Sequence, residues 1–158
     1  MTAAAGPATG HGRGDVVIGV DGGGTTTDIV VADMAGDAIT TIRAGGTNHE
    51  SIGLDAMVEV LTDALGEALA SAGRQHADVA AAVFGLAGVD WPSDVDRVGA
   101  ALAGIEFGGP RLVVNDSQVA LRAGCTQPWG IVSSVGTGSV TAGVGRSGQW
   151  FRTMAVGF

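Results

Sequence analysis

Asp21 ends a β-branched run, Asp15 to Asp21 (DVVIGVD), and is followed at once by Gly22-Gly23-Gly24 and Thr25-Thr26-Thr27. Glycines at a strand end let the backbone turn tightly and aim successive N–H groups inward as an anion nest, and the threonine hydroxyls add donors. A carboxylate at the strand tip suits Mg²⁺, which takes one or two carboxylates plus phosphate oxygens. The spacing therefore predicts a phosphate-binding loop of Gly22, Gly23, Gly24, Thr25 and Thr26, with Asp21 holding Mg²⁺ through water. An ordinary glycine-rich hairpin turn is the alternative. The loop is neither a Walker A motif, which needs G-x-x-x-x-G-K-[ST], nor a dinucleotide fingerprint, because a strand rather than a helix follows it. Ser134-Val135-Gly136-Thr137-Gly138-Ser139 repeats the design later in the chain; alone it reads as a hairpin turn, but paired with the first loop it places Gly136, Thr137 and Gly138 to meet a polyphosphate from the opposite side.

Asn115-Asp116 follows an apolar strand and starts a helix, on the strand edge where open α/β sheets bind ligands. A carboxylate there can accept the proton of an attacking hydroxyl. Asp is also a favoured helix cap, and the two roles are compatible. Asn48, in Gly46-Thr47-Asn48-His49, can hydrogen-bond a polar substrate or cap the next helix. Gly85-Leu86-Ala87-Gly88-Val89-Asp90 ends another strand with room for a ligand or a neighbouring loop. His11, His49 and His76 are expected in solvated loops, Trp91, Trp129 and Trp150 in packing, and Cys125 as a small half-buried residue with no base beside it.

The elements that must position these residues follow from periodicity. Asp15–Asp21, Thr27–Ala32 and Ala38–Arg43 are predicted as consecutive antiparallel strands. From Glu50 the period becomes helical: Leu54, Met57, Val58, Leu61, Leu65, Ala68, Leu69 and Ala72 line one face up to Gly73. Val79–Leu86 is a near-continuous apolar run that suits a buried parallel strand. Ser93 is expected to cap a helix over Asp94–Ala103, before a strand at Leu112–Asn115 and a helix at Ser117–Ala123. Strands return at Gly130–Val135, Ser139–Val144 and Gln149–Arg152. Three antiparallel strands leading into β-α-β crossovers predict an α/β fold of the ribonuclease-H-like kind, with a mixed five-stranded sheet over residues 15–125.

Composition narrows the partners. The chain has 158 residues, 8 Lys+Arg against 16 Asp+Glu, and a formal net charge of −8. All the basic residues are scattered arginines, so neither nucleic acid nor an anionic membrane surface is an expected partner. No apolar run approaches the roughly 20 residues a membrane span needs. One cysteine excludes an internal disulfide and a cysteine-rich zinc site, and a reducing cytoplasm fits. Residues 1–14 are small and flexible, lack the apolar core of a signal peptide, and are expected to be a disordered tail. The 28 glycines are more than twice the typical share of about 7%.

Taken in order, Asp21-Gly-Gly-Gly-Thr25, Gly85-Leu-Ala-Gly88, Asn115-Asp116 and Gly136-Thr-Gly-Ser139 resemble the actin, sugar-kinase and heat-shock-chaperone ATPase superfamily. Within it the likeness is to the BadF/BadG/BcrA/BcrD ATPase family, which includes N-acetylglucosamine and glucosamine kinases. The resemblance implies ATP and Mg²⁺ as cofactors, an amino sugar as substrate, and Asp116 as catalytic base. It makes Gly22 to Thr26 the first phosphate motif and Gly136 to Ser139 the second, with Asn48, Asp116 and Ser139 contacting the sugar. It leaves a homodimer open. Thr26 stands where relatives often carry Lys or Arg, and Val140 where some N-acetylglucosamine kinases place a polar residue. Family members are longer, so the resemblance implies a first lobe over 15–125 and the opening hairpins of a truncated second lobe over 126–158. The family also contains ATPase activators of 2-hydroxyacyl-CoA dehydratases and benzoyl-CoA reductases, whose cluster cysteines a lone Cys125 does not match. A non-catalytic, sugar-kinase-like fragment is the remaining alternative.

Overall fold

The computed structural model describes residues 15–135, 138–153 and 156–157. Its first three strands, β1 (Val16–Gly22), β2 (Thr26–Asp33) and β3 (Ala38–Gly45), form an antiparallel meander. Two crossovers then add β4 (Val79–Leu86) and β5 (Arg111–Asn115) in parallel to β1, giving the order β3-β2-β1-β4-β5. This is the mixed five-stranded sheet expected from the sequence. Strand β4 is buried enough to justify its continuous apolar run, with Phe84 and Leu86 fully enclosed.

The first crossover carries α1 (His49–Ile52) and α2 (Leu54–Ser71). Helix α2 buries Met57, Leu61, Ala64, Leu65, Ala68 and Leu69, one face at helical spacing, against β2 and β3. The single helix expected from Glu50 is split at Gly53, whose φ of 85° lies in the left-handed region that favours glycine. The Gly53 N–H closes α1 on His49 O at 2.9 Å, while its carbonyl accepts from Met57 N to open α2.

The second crossover carries α3 (Pro92–Ala101), which starts earlier than the Ser93 cap predicted. Proline fits the first helical position because its missing N–H would have no partner there. The cap is supplied by Asp94 reaching back: its Oδ2 accepts from Asp90 N at 3.1 Å and Trp91 N at 2.9 Å. Helix α4 (Asp116–Gly124) follows β5 directly, packs on β4 and β5, and also contacts the second sheet. That sheet comprises β6 (Gly130–Val135), β7 (Gly138–Val144) and β8 (Trp150–Arg152), with a further strand β9 (Val156–Gly157) beside β7. Among the described residues the main core is built from the first sheet and its helices, and the second sheet supplies only Ala142 as a buried hydrophobic. No helix among the described residues is long and apolar enough to cross a membrane.

Two sets of side chains sit elsewhere than expected. His49 is buried at 6% exposure, and Arg97 donates from Nη2 to its Nε2 at 2.7 Å. A guanidinium only donates, so Nε2 is the acceptor in this contact. His76 is half-buried and stacks on Phe107. His11 lies outside the described residues. Of the tryptophans expected in packing, Trp91 is 64% exposed, and Trp129 lies under the Arg146 guanidinium at 4.1 Å.

Candidate active site

Parallel registration of β1, β4 and β5 decides which residues meet. Asp21 pairs with Gly85, which pairs with Val114; the next rung is Gly22, Leu86 and Asn115. Asp21 and the start of α4 are therefore at the same sheet edge, two strand spacings or roughly 10 Å apart. Asn48 joins them through Gly88, since a Cβ on Gly88 would lie 2.5 Å from Asn48 Oδ1. The structure thus brings Asp21, Asn48 and Asp116 to the carboxyl ends of the parallel strands.

The loop after β1 is shaped by close approach. Gly23 N–H donates to Thr26 O at 2.8 Å, Thr47 N–H to Gly23 O at 2.9 Å, and Ala87 N–H to Gly22 O at 2.7 Å. A Cβ on Gly22 would meet Thr47 Oγ1 and Leu86 Cδ2, and one on Gly46 would lie 2.2 Å from Gly24 O. None of Gly22, Gly23 and Gly24 has a positive φ, so close packing rather than left-handed backbone explains the glycines. The Gly23 N–H faces its own turn. Gly24, Thr25 and Thr26 are exposed at the tip, with Thr27 buried beneath them and bonded to Thr47 Oγ1 at 2.8 Å.

Helix α4 is capped by Asn115 rather than Asp116. Asn115 Oδ1 accepts from Ser117 N at 3.1 Å, and Asp116 Oδ1 accepts from the same N–H at 2.8 Å. Asn48 likewise caps α1, accepting from Glu50 N at 2.9 Å, which leaves its amide nitrogen as the group to offer a substrate. Burial raises the Asp116 pKa above the ordinary carboxylate value. The Ser117 N–H and the Arg152 charge oppose that rise, and the negative charges of Asp21 and Asp90 add to it. Asp21 is also raised, first by desolvation among the surrounding loops and then by Asp28, its partner across β2.

Ser139 pairs with Val135 across the β6–β7 hairpin and is half-buried, and Gly138 opens β7. Gly136 and Thr137 lie outside the described residues. No group of three or more His, Cys, Asp or Glu among the described residues could cage a metal ion. A single carboxylate such as Asp21 suits a Mg²⁺ whose other ligands are waters and phosphate oxygens.

Two residues that motif reading missed border this edge. Asp90 forms an ion pair with Arg152 and accepts from Asn115 Nδ2 at 3.0 Å. Asp90, Trp91, Asp96, Asn115, Gln118 and Trp150 line a cavity of about 330 Å³ beside Asn115. Asp90 was visible at the end of its glycine loop, but no local pattern announces a partner 62 residues away.

The motif order, the sheet order and this edge agree with a family-model match to the BadF/BadG/BcrA/BcrD ATPases over residues 18–152. The chain belongs to that family. An N-acetylmuramic acid/N-acetylglucosamine kinase of Clostridium acetobutylicum is 28% identical over 137 residues, covering 87% of this chain and 45% of that protein. An N-acetyl-D-glucosamine kinase of Dictyostelium discoideum is 28% identical over 153 residues, covering 86% and 47%. This BadF/BadG/BcrA/BcrD chain therefore spans about half the length of the curated relatives it matches. Among solved structures, a candidate N-acetylglucosamine kinase from Chromobacterium violaceum superposes with a TM-score of 0.72 at 23% identity, covering 89% of this chain and 49% of that one. A ROK family glucokinase from Streptomyces griseus, solved with glucose and AMPPNP, gives 0.57 at 24% identity, covering 90% and 48%. These two likenesses bear on the fold.

Proposed function

We propose that this chain forms part of an ATP-dependent phosphotransferase acting on an amino sugar such as N-acetylglucosamine or glucosamine. In this reading residues 15–125 are a first actin-like lobe and residues 126–158 open a second. One observation carries it: Asp21, Asn48 and Asp116 share one sheet edge beside a glycine-threonine loop, in a family whose curated matches are named as sugar kinases.

The roles follow from chemistry. Gly24, Thr25 and Thr26 present backbone and hydroxyl donors to the phosphates, while Gly22 and Gly23 let Thr47 and Ala87 brace the loop. Gly136, Thr137 and Gly138 complete the phosphate cradle from the second sheet. With Thr26 where relatives often carry Lys or Arg, the loop after β1 meets the phosphate charge through N–H groups and Mg²⁺. Mg²⁺, held through water by Asp21, would neutralise charge on the transferring phosphoryl group. Asn48 and Ser139 orient the sugar, and Asp116 accepts the proton of its attacking hydroxyl. The raised Asp116 pKa brings the carboxylate nearer to a working general base.

Sugar-dependent phosphoryl transfer from ATP is the measurement that tests this. Asp116→Asn should lower turnover by about 10²- to 10⁴-fold with little change in sugar KM. Asn48→Ala should instead raise the sugar KM. Full turnover in Asp116→Asn would overturn the mechanism.

A further inference from the structure

Helix α4 starts on a hydrogen-bonded ring that reaches into the other sheet. Asn115 is buried, and its side chain is fully used: Nδ2 donates to Val89 O at 3.1 Å and to Asp90 Oδ1 at 3.0 Å. Its Oδ1 accepts from the Ser117 backbone N–H at 3.1 Å and from the Ser117 hydroxyl. The Asp90 oxygen that receives Asn115 also receives Arg152 Nη1. Arg152 lies on β8 opposite Ala142, and its side chain is only 16% exposed. Asp90 is held in turn by its own N–H, which donates to Asp94 at the start of α3.

We infer that Asp90 and Arg152 are positioning residues for the candidate base: their ion pair fixes Asn115, and with it the first turn of α4 that carries Asp116, relative to the second sheet. The inference rests on the phosphotransferase reading only in calling Asp116 the base; the bonding itself does not. Three features favour a latch over an incidental surface pair. Both charges are largely withdrawn from water, one carboxylate oxygen is shared by two donors, and the pair joins two sheets that otherwise meet mainly through α4. Asp90 and Asn115 also wall the cavity of about 330 Å³ that Gln118 of α4 and Trp150 of β8 line from the other sides.

Amide hydrogen exchange and carboxyl ¹³C titration of the 158-residue chain test this in Arg152→Met, Asp90→Asn, Arg152→Lys and the Asp90→Asn/Arg152→Met double variant. If the latch holds, the Ser117 amide exchanges about tenfold faster or more in Arg152→Met and in Asp90→Asn. The double variant should be no faster than the worse single one, and Arg152→Lys should recover part of the protection. The Asp116 carboxyl supplies a readout that mere loosening would not give. The charged groups acting on it are Asp21 from β1, Asp90 from the loop before α3 and Arg152 from β8. Its titration should move upward when Arg152 is neutralised and downward when Asp90 is. Unchanged Ser117 exchange in Arg152→Met, or Asp116 shifting the same way in both single variants, would overturn the inference. Should Arg152→Met unravel the second sheet, Asp90→Asn still decides, because it preserves side-chain volume and lies in the first unit. Neither readout uses nucleotide or sugar, so a failed latch leaves the kinase assay to stand or fall separately.

Discussion

Asp116 makes a trade that stability measurements can expose. Its pKa in the folded protein is raised, chiefly by burial, so the folded state holds the proton more tightly than the unfolded chain does. Stability from this residue is therefore greatest at acid pH and is lost as pH rises from the ordinary carboxylate value of 3.8 through the higher folded value. Asp116→Asn should melt higher than the parent at pH 7, and the gap should close as pH falls below 3.8. Activity should run the opposite way, rising with pH as Asp116 ionises. Asp21→Asn removes one of the charges that raise Asp116 and should lower the Asp116 titration, as carboxyl ¹³C shifts of the metal-free protein would show. The shared edge of Asp21, Asn48 and Asp116 was legible because each polar side chain sat where a strand had to end. The burial of His49 was not, because it depends on Arg97 arriving from α3, and local polarity carries no sign of that. Nor was it legible that Asn115 rather than Asp116 takes the N-cap position of α4: both side chains accept from Ser117 N, and the pairing of Asn115 with Leu86 keeps Asn115 on β5 so that the helix starts at Asp116.

At the scale of elements, helix α2 was readable from its apolar spacing because a helix covering a sheet has to present one continuous face. The break at Gly53 was not, since it depends on α1 turning to place Asn48 beside Gly88. Leu61, fully buried on α2, provides the test of that packing. Leu61→Ala should cost about 2–5 kcal/mol in urea unfolding. The glycine-threonine loop after β1 makes a different prediction. A methyl on Gly46 meets the backbone oxygen of Gly24 at 2.2 Å, whereas a methyl on Gly24 meets nothing within 4 Å. Gly46→Ala should therefore destabilise by about 1–3 kcal/mol, as overpacking does. Gly24→Ala should stay within about 0.5 kcal/mol, like other surface changes. Equal costs at both positions would mean that backbone freedom, rather than close approach, is what the loop requires.

The whole molecule is unevenly consolidated. Val16, Ile18, Val20, Ile29, Val31, Phe84 and the α2 face form one core, whereas Ala142 is the only buried hydrophobic described in the second sheet. In that sheet Ile131, Val135 and Phe151 all face outward and exposed. Registration explains the grouping: Ile131 pairs with Gly143, which pairs with Phe151, and Val135 lies on the same face two residues beyond Ser133. The sequence showed these strands clearly, but alternation along a strand cannot say which face is covered, because cover comes from other elements. Burial sets the free energy of local opening, so the two sheets should not open together. Native-state hydrogen exchange in low denaturant should show amides of β1, β4 and α2 exchanging only through global unfolding. Amides of β6, β7 and β8 should exchange through a smaller opening with a weaker denaturant dependence. Because α4 packs on both sheets and Asn115 is tied through Asp90 to Arg152, the first turn of α4 should follow the second sheet rather than the core. Identical exchange free energies across both sheets would show instead that the Arg152 contact and α4 couple them into one cooperative unit.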